Sequence, residues 1–174
     1  MKKILTLFAV VGLIAFSSCE GPEGPMGPPG EDGVIAEVYE VTNVNFNSAN
    51  NYNPVIALNP AIFESDMVLV YRLAEVNNGN DVWKLAPENY FLADGTLDFG
   101  FDYDFTKNDV SVYMIGNDLA GVANSFRLNQ VLRIVIIPGY VTTGKSVNKA
   151  DYSNYNEVIK KYNIDDSNIK KIKL

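Results

Sequence analysis

Leu97-Asp98-Phe99-Gly100-Phe101-Asp102-Tyr103-Asp104-Phe105-Thr106 alternates large apolar side chains with acids, a glycine and a threonine. A period of two places Leu97, Phe99, Phe101, Tyr103 and Phe105 on one face of a strand and the three aspartates on the other, so one face is buried and one is wet. Working outward, β-branched and aromatic runs recur at residues 34–46, 55–58, 67–75, 82–86, 110–115 and 126–137, separated by Asn, Asp, Gly and Pro. Asn78-Gly79 supplies the two positive-φ positions of a tight hairpin, and Asp94-Gly95 turns the chain into the quoted stretch. Residues 131–137 are apolar except for Arg133, as suits a central strand covered on both faces. No strand–helix–strand alternation occurs. The expected fold is all-β: an antiparallel β-sandwich, immunoglobulin-like or jelly-roll, with one C-terminal helix. That helix is expected at about residues 151–163, where Tyr152, Tyr155, Val158, Ile159 and Tyr162 fall at helical spacing, with Asp151 and Ser153 as candidate caps.

The 174-residue chain has no histidine, which removes Ser-His and Cys-His nucleophilic pairs, histidine-ligated zinc and histidine acid–base chemistry. Its one cysteine, Cys19, makes no intramolecular disulfide and no Cys-x-x-Cys pair. Residues 19–144 carry five basic and seventeen acidic side chains, whereas residues 145–174 carry seven lysines and four acids. An acidic main body argues against nucleic acid as a partner, because phosphate contacts need a basic face.

The amino terminus reads as an address. Lys2-Lys3 precedes an apolar run from Ile4 to Phe16, too short for the roughly 20 residues of a membrane span but suited to a signal-peptide core. Ser17 and Ser18 then lead into Cys19. Phe16-Ser17-Ser18-Cys19 resembles the lipobox of bacterial lipoproteins, in its looser Bacteroidota form. That resemblance implies residues 1–18 as a lipoprotein signal peptide and Cys19 as the lipidated first residue of the mature chain. Acyl chains stabilise membrane association by about 0.8 kcal/mol per buried methylene. Glu20 and Glu23 loosely resemble the acidic patch that sends such lipoproteins to the cell surface.

Gly21-Pro22-Glu23, Gly24-Pro25-Met26, Gly27-Pro28-Pro29 and Gly30-Glu31-Asp32 are collagen-like triplets, and Gly33 opens a fifth. Residues 19–33 are therefore expected to be a lipidated tether, either a single-chain spacer of about 40 Å at about 3.1 Å per residue or the stalk of a homotrimer. Lipobox, Gly-X-Y run and β-rich domain (residues 34–174) together resemble the small collagen-like lipoproteins of Bacteroidota. The resemblance implies an envelope protein, at the outer membrane and exposed at the surface.

Candidate chemistry sits in three places. Asp98, Asp102 and Asp104 share a strand face, with Asp102 and Asp104 about 6.6 Å apart at two residues' rise, and carboxylates are calcium ligands. The same acids form a paired-carboxylate arrangement for a hydrolase. Trp83, with Tyr52 and Tyr140 in loops, offers rings for stacking on sugars. Lys160, Lys161, Lys170, Lys171 and Lys173 offer charge to anionic surfaces, though a solvated face that also favours the helix C-terminus explains them better. The expectation is a non-catalytic binding or structural module with no obligate cofactor, acting on a polysaccharide or protein. A carbohydrate- or calcium-binding surface module is the alternative, and a hydrolase is the third reading.

Overall fold

The computed structural model describes residues 36–139 and 152–174, all within one compact unit, Gly33–Leu174. The signal segment, Cys19, the Gly-X-Y run and Tyr140 lie outside the described residues. The quoted stretch is a strand, Leu97–Phe105, with Phe99 and Phe101 buried and Asp98 and Asp104 exposed. The alternation fails at its last position. Phe105 is 41% exposed, because the strand there enters the turn in which the Thr106 hydroxyl donates to Asp109.

Among the described residues nine strands form two sheets: β1 (Glu37–Val44), β2 (Val55–Ala57), β3 (Met67–Asn77), β4 (Asn80–Leu85), β5 (Glu88–Phe91), β6 (Leu97–Phe105), β7 (Asp109–Gly116), β8 (Gln130–Ile137) and β9 (Lys170–Lys173). One sheet runs β4-β3-β8-β1-β9 and the other β2-β7-β6-β5. The β3–β4 hairpin turns at Asn78 and Gly79, with φ of 50° and 81°, as the Asn-Gly pair requires. The expected antiparallel sandwich is present with one departure: β9 adds to β1 in parallel, Tyr39 opposite Lys170 and Thr42 opposite Lys173. Two local expectations are corrected. Phe126 belongs to a single helical turn, Asn124–Arg127, so the last long strand starts at Gln130. The segment at residues 88–91, not anticipated as a strand, is the edge strand β5.

The five-stranded sheet is buried on both faces. Leu132, Ile134 and Ile136 of β8 join Val68, Val70, Val41, Phe99 and Phe101 in the core between the sheets. Val135 and Ile137 point the other way, with Leu69 and Tyr71, into a second apolar layer beneath α1 (Tyr155–Lys161). This explains the near-continuous apolar sequence of β8. Helix α1 is shorter than the expected 151–163 and is capped by Asn154 rather than Ser153: the Asn154 side chain accepts from the Glu157 N–H, and the helix buries Tyr155 and Val158. The Tyr155 ring meets Tyr71 edge-on at 5.3 Å and lies 5.8 Å from Trp83.

Candidate functional site

The sequence-derived candidates do not converge on one place. Asp102 lies opposite Tyr113, and Asp104 opposite Ser111, on the outer face of the four-stranded sheet. Burial and the charges of Asp102 and Asp104 push the Tyr113 hydroxyl above its ordinary pKa. Asp98 is four residues from Asp102, about 13 Å along the strand, and borders a depression with Asp118 and Gly121. Among the described residues no three His, Cys, Asp or Glu side chains gather closely enough to hold a metal ion. Trp83 lies on the outer face of the other sheet, half-buried, with the Arg133 guanidinium 4.2 Å from its ring centroid. Tyr52 is half-buried and packs against the core between the sheets. Trp83 and Tyr52 therefore belong to different layers and share no surface.

Inside the sandwich is a polar cluster that the sequence reading did not anticipate. Arg72 is 4% exposed, and its guanidinium grips Glu88 of β5 with two bonds of 2.9 Å. It also donates to Gln130 at 3.1 Å and to the Tyr90 hydroxyl at 2.8 Å, and it lies 4.8 Å from the Phe101 ring centroid. Burial alone would raise the Glu88 pKa, but hydrogen bonds from Arg72 and Tyr90 and the Arg72 charge bring it below the ordinary value. Burial and the bond to Glu88 push the Tyr90 hydroxyl up to about 12. No buried side-chain polar atom among the described residues lacks a hydrogen-bond partner. The cluster ties β3 of one sheet to β5 of the other, with its donors and acceptors turned on one another. The available sequence signal was Arg72 itself, a cation inside the otherwise apolar run Met67–Ala74.

The open site lies at one end of the sandwich, where the β2–β3 connection crosses from one sheet to the other. Ile62 of that connection donates its N–H to Lys107 O and packs on the core. The buried Asp66 carboxylate accepts the N–H groups of Phe63 at 2.9 Å and Gly139 at 3.2 Å, pinning the connection to the end of β8. Only glycine suits position 139, since a Cβ there would sit 2.1 Å from Ser65 O. Phe63 is left 63% exposed at the rim. Between this connection, β1 and the end of β8 is a cavity of about 150 Å³, floored by Tyr39, Ile62, Ile136 and Pro138, with Glu37 and Asp66 at its edge. A wider depression of about 370 Å³ adjoins it, sharing Glu37, Tyr39 and Pro60 and reaching Asp165, Asn168 and Lys170.

The Tyr39 hydroxyl donates to the Glu37 carboxylate, and burial, with that bond and charge, pushes its pKa up to about 12. Lys170 donates to Asn59 O at 3.0 Å, and its ammonium stands 5.1 Å from the Tyr39 ring centroid. The groove thus has an apolar floor, an open aromatic rim, and carboxylates at Glu37, Asp66 and Asp165 beside a lysine that bonds to Asn59 O. Its parts lie far apart in the chain, at residues 37–39, 60–66, 136–138 and 165–170, so no local motif announces it. No family model, curated protein or solved structure matches the chain significantly.

Proposed function

We propose that this chain is a cell-envelope lipoprotein, anchored through Cys19, whose sandwich is a non-catalytic binding module with the end groove as its binding site. The observation that carries this reading is the groove itself. It is an open, largely apolar cavity with the exposed Phe63 at its rim, on a scaffold in which every buried side-chain polar atom among the described residues is paired. The lipobox-like Phe16-Ser17-Ser18-Cys19 supports the anchor, and the acids after it support outer-membrane display at the surface. Two experiments test the two halves. Palmitate labelling and fractionation should follow the wild-type chain into membranes and be lost in Cys19→Ala. For the groove, benzyl alcohol titrated into the full chain with ¹³C-labelled isoleucine methyls should shift Ile62 and Ile136, and an unmoved pair would end the binding reading.

A second reading, a carbohydrate module, draws on Tyr113 flanked by Asp102 and Asp104 on the open sheet face. Oligosaccharide-induced broadening of Ile115 rather than Ile62 would favour it. The Gly-X-Y run serves as spacer, or as trimer stalk if copies associate; light scattering with and without residues 20–33 separates these.

A further inference from the structure

We propose that the groove takes a protein segment that presents a ring-bearing or branched apolar side chain beside a lysine or arginine. This rests on the binding reading above and names the partner's chemistry. A cavity of about 150 Å³ lined by aliphatic and aromatic side chains is the size that holds one benzene-like ring. The floor of Tyr39, Ile62, Ile136 and Pro138 offers few polar atoms, which suits an apolar side chain and leaves a sugar's hydroxyls without partners. The adjoining depression, open along the same wall, gives flanking residues of an extended segment somewhere to lie.

Charge sets the neighbour. Both Asp66 oxygens accept backbone N–H groups, so that acid is structural. The Tyr39 hydroxyl donates to Glu37 Oε2, and Glu37 Oε1 has no hydrogen bond among the described residues. Asp165, across the depression, is held ionised below the ordinary carboxylate pKa by the hydroxyl and N–H of Ser167. Among the described lining residues the one cation, Lys170, bonds to Asn59 O and stands over the Tyr39 ring, against three carboxylates at Glu37, Asp66 and Asp165. Anionic segments are repelled and cationic ones are favoured.

The test uses the full chain in mild detergent, ¹³C-labelled at isoleucine methyls, with the peptides acetyl-Gly-Phe-Lys-amide, acetyl-Gly-Phe-Glu-amide and acetyl-Gly-Ser-Lys-amide, and with cellotriose. The Phe-Lys peptide should shift Ile62 and Ile136 and bind about fivefold more tightly than Phe-Glu at low salt, the yield of one exposed ion pair. The Ser-Lys peptide should not bind. Glu37→Gln, and separately Asp165→Asn, should bring the Lys/Glu ratio toward one. Phe63→Ala should weaken every ligand while leaving the remaining methyl spectrum unchanged. Equal affinity for the Lys and Glu peptides, a ratio unmoved by either acid substitution, or cellotriose binding in place of the peptides would each overturn the proposal. If benzyl alcohol still shifts the pair in those cases, the binding reading survives; if it does not, both fall.

Discussion

Replacing Glu88 with alanine strands the Arg72 guanidinium inside the sandwich, and the structure sets the size of the effect. The Arg72 and Glu88 side chains are 5% and 9% exposed, so water cannot replace the lost carboxylate. Lys84, 3.3 Å from Glu88 but half-exposed, loses little. Removing one partner of such a pair costs about 3–5 kcal/mol. Gln130 and Tyr90 still accept from Arg72, which favours the lower half of that range. At about 3–4 °C per kcal/mol for a domain of this size, Tm should fall by about 10–15 °C.

The companion variant, Arg72→Met with Glu88→Leu and Tyr90→Phe, removes charge and partners together and should lie within about 2 kcal/mol of the parent. Urea unfolding followed by Trp83 fluorescence and by far-UV circular dichroism reads both, and coincident curves license the two-state treatment. The acid limb adds a signature. The folded Glu88 pKa is depressed, so its contribution is present above the unfolded value of about 4.3 and is lost as pH falls through the folded value. Glu88→Ala should flatten that limb. A cost below about 1 kcal/mol for Glu88→Ala, with an unchanged acid limb, would refute the claim that the pair is desolvated and structural.

At the alkaline end, Tyr39 and Tyr90 hold their protons up to about 12, so their contribution is present below the unfolded value near 10 and is lost as pH rises through 12. Tyr39→Phe should therefore flatten the high-pH denaturation profile, and an unaltered profile would contradict the burial argument. Gly100→Ala puts a Cβ 2.9 Å from Glu88 O and 3.1 Å from an Ile115 carbon, which should cost about 1–3 kcal/mol through the β5–β6 pair, read by urea midpoint. Gly79→Ala meets no atom within 4 Å but keeps φ at 81°, and should cost only about 1 kcal/mol in the same assay. Phe63→Ala, at an exposed position, should leave the urea midpoint within about 0.5 kcal/mol.

The strands that could be read from sequence are those where burial and alternation agree. In β6 the aspartates and aromatics sort themselves by face, and in β8 the unbroken apolar run reports a sheet covered twice. Strand β5 defeats the same logic because its inward positions hold Glu88 and Tyr90, polar groups admitted only because Arg72 meets them from the opposite sheet. Strand β9 is hidden for a related reason. Lys170-Lys171-Ile172-Lys173 reads as a solvated tail, yet Ile172 packs on the core and Lys171 pairs with Glu40. Lysine stems can lie along apolar surface with their charges in water. The place of Trp83 in an outer layer was not legible, since that layer depends on a helix some seventy residues later.

The parallel β9 strand also bears on how the groove works. Lys170 is at once a residue of the last strand, a donor to Asn59 in the connection that forms the groove wall, and the cation over Tyr39 on its floor. A four-residue edge strand is among the parts of a fold that open at lowest free energy. When β9 opens, Tyr39 loses its cation and the wall loses a hydrogen bond, while β1 stays paired to β8 through its other edge. The groove is therefore coupled to the docking of the C-terminal strand without depending on the global stability of the sandwich. Ligands that require the closed groove should slow amide exchange in β9 and leave β3 and β8 untouched. Lys170→Ala should loosen β9 and weaken binding of the uncharged benzyl alcohol together, whereas Lys173→Ala, at a residue that lines neither depression, should do neither.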